Sequence, residues 1–162
     1  RPGRARFAPM AAESLAALRT FFEIAPAARL ATRPLARGAR VNLALDGGTA
    51  RFTMESGAPA VLDGAGPDPD FTLTLPAAAV ARLTGLAGAN VGALGIEFFG
   101  LVLERGPALK VRVRVDAPTA RLVGRGYLGV LALGGLKVVL WLLTQGVKDP
   151  KAVIDRLRGT RR

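Results

Sequence analysis

The sequence predicts an α+β domain, on three observations. Apolar residues alternate with polar ones at 41–54, 71–75 and 109–115, the period of half-buried strands. Apolar residues recur every three or four positions at 11–24, 77–83, 88–105 and from 118 to about 147, the period of helices with one buried face. Half of the 162 residues are apolar, enough to bury a core and too many for a disordered chain. The length suits one domain.

Residues 1–9 (RPGRARFAP) are a basic lead-in. Pro9 suits a helix start, Leu15, Leu18, Phe21 and Phe22 carry the helix to Ile24, and Pro26 stops it. Residues 26–40 (PAARLATRPLARGAR) read as a basic connector. Val41, Leu43 and Leu45 then alternate with Asn42 and Ala44, and Ala50, Phe52 and Met54 with Arg51, Thr53 and Glu55. Asp46-Gly47-Gly48 between them tolerates positive φ, so the two runs predict a β-hairpin. Ala60–Leu62 is a short third strand, and 63–69 (DGAGPDP) a loop by composition. Phe71, Leu73 and Leu75 mark a further strand. Pro76 fits the first position of a helix over Ala77–Leu83 that Gly85 ends.

From Gly88 to Arg105, Val91, Leu94, Phe98, Leu101 and Val102 share one helical face. The internal glycines 92, 95 and 100 weaken that helix by up to about 1 kcal/mol each and leave room for close approach. After Gly106-Pro107, Leu109, Val111, Val113 and Val115 alternate with Lys110, Arg112 and Arg114, which predicts a strand with a basic outer face. The last helical pattern runs from Pro118 to about Val147. Its apolar core, residues 127–143, is shorter than the ~20 residues of a membrane span. Lys137 would cost about 2.5–3.5 kcal/mol at its centre, so a buried or interfacial helix is expected. The organisation expected is a lead-in and helix over 1–38, the main domain over 39–148 and a basic tail over 149–162.

Composition removes several chemistries. With no cysteine and no histidine there is no disulfide, no thiolate metal site and no histidine base or ligand. Ser14 and Ser56 have no histidine partner, which excludes the serine triad. No catalytic set, metal site or cofactor is expected. Asp63, Asp68 and Asp70 lack the spacing of a calcium loop, and turn chemistry accounts for them. Gly124–Gly129 (GRGYLG) matches G-x-G-x-x-G, with Asp149 twenty residues beyond. However, ARLVG before it is a poor strand and too little chain follows for a dinucleotide fold.

The net charge of +11 is uneven: eight Arg face two Glu in 1–40, two Arg face seven acids in 41–104, and thirteen Lys/Arg face three Asp in 105–162. Such ends attract an anionic partner, a membrane surface included, or serve solubility alone. No aromatic residues interleave with Lys110, Arg112 and Arg114, so sequence-specific nucleic-acid binding is not expected.

Three segments resemble the sterol-carrier-protein-2-like (SCP2-like) lipid-binding domains: the hairpin VNLALDGGTARFTME, the run PDFTLTLPAAAVARLTG at 69–85 and the basic strand ALKVRVRVD at 108–116. The likeness spans about 39–116. It departs where a longer glycine- and phenylalanine-bearing helix precedes the basic strand, and where that strand ends Val115-Asp116. The resemblance implies a mostly antiparallel five-stranded sheet with helices packed on one face, enclosing an apolar tunnel for a sterol, acyl chain or similar lipid, with no cofactor and no covalent chemistry. The lining expected is Phe52, Phe71, Leu73, Val91, Leu94, Phe98, Phe99, Leu101, Val102, Leu128, Leu131 and Trp141. Glu97 is expected to face solvent or to form a polar tip in the pocket. Arg121, Arg125 and Lys148 are expected to flank the C-terminal helix and meet lipid headgroups. The alternative is an accessory or scaffold protein whose C-terminal helix docks on a partner or membrane surface. A cytoplasmic location, peripheral to a membrane, is the expectation; oligomeric state is left open.

Overall fold

The computed structural model describes residues 9–133. Helices α1 (Pro9–Ile24) and α2 (Pro26–Thr32) precede a three-stranded meander, β1 (Arg40–Leu45), β2 (Gly48–Thr53) and β3 (Ala60–Asp63). Then follow β4 (Phe71–Leu75), α3 (Ala77–Thr84), α4 (Val91–Leu103), β5 (Arg112–Val115), α5 (Thr119–Gly124) and α6 (Tyr127–Leu133). The five strands form one sheet in the order β3-β2-β1-β4-β5.

The α+β class and the five strands are as expected, but the sheet is mixed: β1 and β4 run parallel, with Val41 beside Phe71 and Leu45 beside Leu75. The other three pairings are antiparallel. The parallel pair has a topological cause. Because β3 runs alongside β1 in direction, the chain leaves β3 at the far end and must travel back to begin β4. The loop over residues 64–70 makes that return across the outer face of β1 and β2. Asn42 holds it there: its side-chain amide donates to Gly66 O at 3.0 Å and accepts from Gly66 N–H at 2.9 Å.

The alternation read in the sequence sorts the two faces. Val41, Leu43 and Leu45 of β1 and Ala50 and Phe52 of β2 are buried beneath the helices. Leu15, Leu18 and Phe21 of α1 join the same core, and Phe22 packs on Phe52 with ring centroids 5.0 Å apart. The edge strand β3 is capped by α1: Arg19 Nε donates to Val61 O at 3.0 Å, and Glu23 Oε1 accepts from Val61 N–H at 3.3 Å. An edge whose backbone groups are taken by side chains offers no template to another chain.

Two helix boundaries differ from expectation. Pro26 ends α1 but also opens α2 inside the expected connector, because proline is tolerated in a first helical turn whose N–H groups lack partners anyway. The single helix expected from Pro118 is broken at Arg125-Gly126, where Gly126 takes φ +83°. An added Cβ at Gly126 would lie 2.0 Å from Pro34 O, and one at Gly129 2.7 Å from Pro34 Cβ. The connector after α2 thus presses onto the α5–α6 joint, and only glycine fits. Two of the three glycines of the G-x-G-x-x-G match, Gly126 and Gly129, follow from this packing. Helix α5, not a strand, leads into it, so a dinucleotide site is not built here. Trp141, Lys137, Lys148 and Asp149 lie outside the described residues.

Among the described residues no helix is long and apolar enough to cross a membrane. Gly126→Ala should destabilise the fold by about 2 kcal/mol or more, since it combines a left-handed φ with a backbone clash. Gly100→Ala in α4, where an added Cβ meets nothing within 4 Å, should be neutral or stabilise by up to about 1 kcal/mol. Paired thermal melts measure both.

Candidate functional site

Two features of the described chain have the geometry of a site or of its support. The first is a charged cluster at the end of the sheet where β1 and β4 begin. Asp70 is fully buried. Its Oδ2 accepts from Arg40 N–H at 3.1 Å and from the Tyr127 hydroxyl at 2.8 Å. Its Oδ1 accepts from Arg125 Nη1 at 2.6 Å. Arg121 Nε lies 3.2 Å from the same oxygen, an ion contact without hydrogen-bond geometry. Its Nη1 donates to Asp68 at 2.7 Å. The backbone of Asp70 is also fully used: its N–H donates to Arg40 O, and its carbonyl accepts from the N–H groups of Asp116 and Ala117.

The sequence treated these aspartates as turn residues and Arg121 and Arg125 as headgroup contacts. The turn reading is corrected for Asp70, and both arginines pair with aspartates. Asp70 is the anion that the arginines turn inward to meet, because a buried carboxylate is tolerated only when paired and hydrogen-bonded. Asp68 does sit in a turn, at φ +48°, and its hydrogen bond from Arg121 holds its carboxyl below the usual value. Among the described residues no cluster of acids could hold a metal ion.

Tyr127 shares the cluster and packs edge-on against Phe71, with centroids 4.9 Å apart. Burial first, and then the hydrogen bond to Asp70, push its phenol well above its ordinary value. Around it a small apolar group of Val115, Ala117 and Leu122, with Phe71 and Leu128, seals the end of the sheet. The cluster therefore ties α5 and α6 to β1, β4 and β5.

The second feature is the inner face of β4 and β5 together with α4. Phe71 and Leu73 point to the helix side of a strand flanked on both edges, yet they are only half-buried, as is Val113 of β5. Helix α4 starts at Asn90, whose side chain accepts from Ala93 N–H at 2.8 Å. It makes its main contacts with α2, α3 and α6. Its sequence, VGALGIEFFGLVL, is apolar on nearly every side. Leu94 and Leu101 are buried, while Val91, Phe98, Phe99 and Val102 are half-buried, the two phenylalanine rings meeting edge-on at 5.5 Å. Glu97 pairs with Arg82 of α3 at 2.8 Å, a partner that spacing alone did not reveal.

Of the expected lining, Phe71 and Leu73 lie on β4, Val91, Leu94, Phe98, Phe99, Leu101 and Val102 on α4, and Leu128 and Leu131 half-buried on α6. Phe52 sits apart, in the core against α1. Trp141 lies outside the described residues. Sequence reading missed the Asp70–Tyr127–arginine cluster. The signal available was the spacing of Arg121 and Arg125, which places both on one side of a helical turn.

A mixed five-stranded sheet with helices packed against it defines an α+β domain. No family model matches the sequence, and no curated protein matches it. Among solved structures the chain is similar to one described as "UbiJ-SCP2 Ubiquinone synthesis protein", at 16% identity and a TM-score of 0.42, over 76% of this chain and 94% of that one.

Two outcomes follow from the cluster. Asp70→Asn leaves two arginines without their shared anion and should cost about 3 kcal/mol, lowering the melting temperature by roughly 10 °C. Tyr127 is the sole tyrosine, so absorbance at the tyrosinate band reads it alone. The unfolded phenol ionises near its ordinary value of 10.0, while the folded one stays protonated well above it. Its contribution is therefore intact below that pH and is lost as pH rises further, with a slope approaching about 1.4 kcal/mol per pH unit. Tyr127→Phe should remove that slope in urea melts taken at several alkaline pH values.

Proposed function

We propose that this chain binds a lipid-like ligand, an acyl chain or a sterol-sized molecule, between the inner face of β4 and β5 and helices α4 and α6, and carries out no reaction on it. The observation that carries the reading is the half-burial of Phe71, Leu73 and Val113. Interior side chains under a helical layer are normally close-packed, as Val41, Leu43 and Leu45 are in the neighbouring strand. Apolar side chains that face inward but stay half-covered mark space that an apolar guest can fill.

Helix α4 supplies a complementary wall. It carries apolar side chains around most of its circumference, and an added Cβ at Gly100 would meet nothing within 4 Å. The binding energy would come from desolvation, at roughly 25 cal/mol for each Å² of apolar surface taken from water. The Arg82–Glu97 pair at the α3–α4 junction offers the polar contact that an acyl carboxylate or sterol hydroxyl requires. The basic excess of the chain would favour encounter with anionic membranes, at about 1 kcal/mol per charge near the surface. With neither histidine nor cysteine in the chain, thiol-based or histidine-based turnover of the ligand has no agent.

Native mass spectrometry with oleate and with cholesterol tests the reading. One equivalent of ligand should bind and survive mild desolvation. Phe98→Asp should weaken it about tenfold or more, since a charge in an apolar contact is costly. Phe52→Leu should leave it unchanged, and melts of both variants check that they fold. A protein whose mass neither lipid shifts would end the proposal.

A further inference from the structure

We infer a second site, on the opposite side of the sheet: a cleft that takes a small anion of the phosphate class. The cleft, about 200 Å³, lies where the return loop crosses the outer face, and is lined by Arg40, Asn42, Arg51, Thr53, Glu55 and residues 65–67. It is independent of the lipid reading, which concerns the inner face.

The cleft is built rather than incidental. Asn42 clamps Gly66 in both directions, and Arg51 Nη1 donates to Asp63 O at 2.9 Å and to Gly64 O at 3.3 Å. Gly66 rides so close that an added Cβ would lie 2.8 Å from Arg51 Cδ. The loop is therefore held in place over the sheet before any ligand arrives, which lowers the ordering cost of binding.

Its charge is unbalanced. Arg19, Arg82, Arg114, Arg121 and Arg125 each have a carboxylate within 4.0 Å, whereas the half-buried Arg40 and Arg51 have none among the described residues. Arg51 sits opposite Asn42 and one step diagonally from Arg40 in the β1–β2 ladder, a spacing at which long side chains meet. Arg40 spends two nitrogens on long bonds of 3.3 and 3.4 Å to Gly38 O and Pro67 O. The Nη2 groups of both arginines have no acceptor among the described residues. Thr53, buried at 4% exposure, accepts from Glu55 N–H at 3.2 Å and keeps its own hydroxyl hydrogen to donate. Two guanidinium Nη2 groups and a hydroxyl lining one small polar space suit a tetrahedral oxyanion. The exposed Glu55 carboxylate at the rim opposes it.

That opposition makes the test signed. Inorganic phosphate is titrated into the full-length protein and followed by amide shifts in a 15N NMR spectrum. A saturable shift at Gly66 is expected. Arg40→Gln should weaken it about tenfold, and Glu55→Gln should tighten it about threefold. Arg112→Gln, on the same outer face but outside the cleft, should change nothing. Arg51→Gln is secondary, because it also frees the loop. A second arm uses phosphatidylcholine vesicles with and without phosphatidylglycerol. Capture by the anionic vesicles, reversed by inorganic phosphate, assigns the site to a lipid headgroup; phosphate binding without capture assigns it to a soluble phosphate. A shift that does not saturate, or an Arg112→Gln effect equal to that of Arg40→Gln, overturns the inference.

Discussion

The buried carboxylate of Asp70 is the constraint on which the arrangement of this domain depends. It sits where β1 and β4 begin and β5 ends, and every polar atom it carries has a partner. A lone ionised carboxylate could not be sealed there, because its desolvation would exceed what the surrounding apolar contacts return. Arg121 of α5, Arg125 just beyond it and the phenol of α6 are therefore a condition for closing the sheet end. The same requirement sets where those helices lie against the start of β4. Such a cluster adds little net stability compared with a well-packed apolar alternative. What it supplies is position: two guanidinium groups and a hydroxyl must all reach one side chain.

The split between the two faces of the sheet follows from strand alternation and has opposite chemical outcomes. Inward residues of β1 and β2 are buried with α1, while Phe71, Leu73 and Val113 of β4 and β5 are half-buried. Outward residues are mostly Arg, Thr and Asn, and the crossing loop turns part of that face into a walled polar cleft. One strand, β1, serves both sides: Val41, Leu43 and Leu45 fill the core, and Arg40 and Asn42 hold the loop.

Much of this was legible in the sequence because it is periodic. The hairpin at Asp46–Gly48, the strand over 71–75 and the helix of 91–103 each carry their own pattern and breaker residues. Features that depend on distant partners left no local trace. Asp46 was read as a turn residue, yet its carboxylate also accepts from Ala77 N–H at 2.8 Å and caps α3. Only the parallel pairing of β1 and β4 brings the two together. The break at Gly126 is likewise dictated by Pro34, almost a hundred residues upstream; composition in that stretch suggests one continuous helix. Asp70 was misread for the same reason: its neighbours in sequence are turn formers, and its partners are 51 and 55 positions away. Half-burial at Phe71 and Leu73 could not be foreseen, because alternation tells which way a side chain points and not how closely it is covered.

The sequence distance between Asp70 and its partners also bears on how the chain is made. Synthesis delivers β1 to β4 well before Arg121, Arg125 and Tyr127 leave the ribosome. Domains assemble as their segments become available, and the β1–β2 hairpin needs only neighbours to form. During that interval the carboxylate has no counter-ion and must stay hydrated, so the lower end of the nascent sheet remains open to water. Closure waits for the arrival of α5 and α6. A chain cut before residue 119 would lack Arg121, Arg125 and Tyr127 and would leave the Asp70 carboxylate without a side-chain partner.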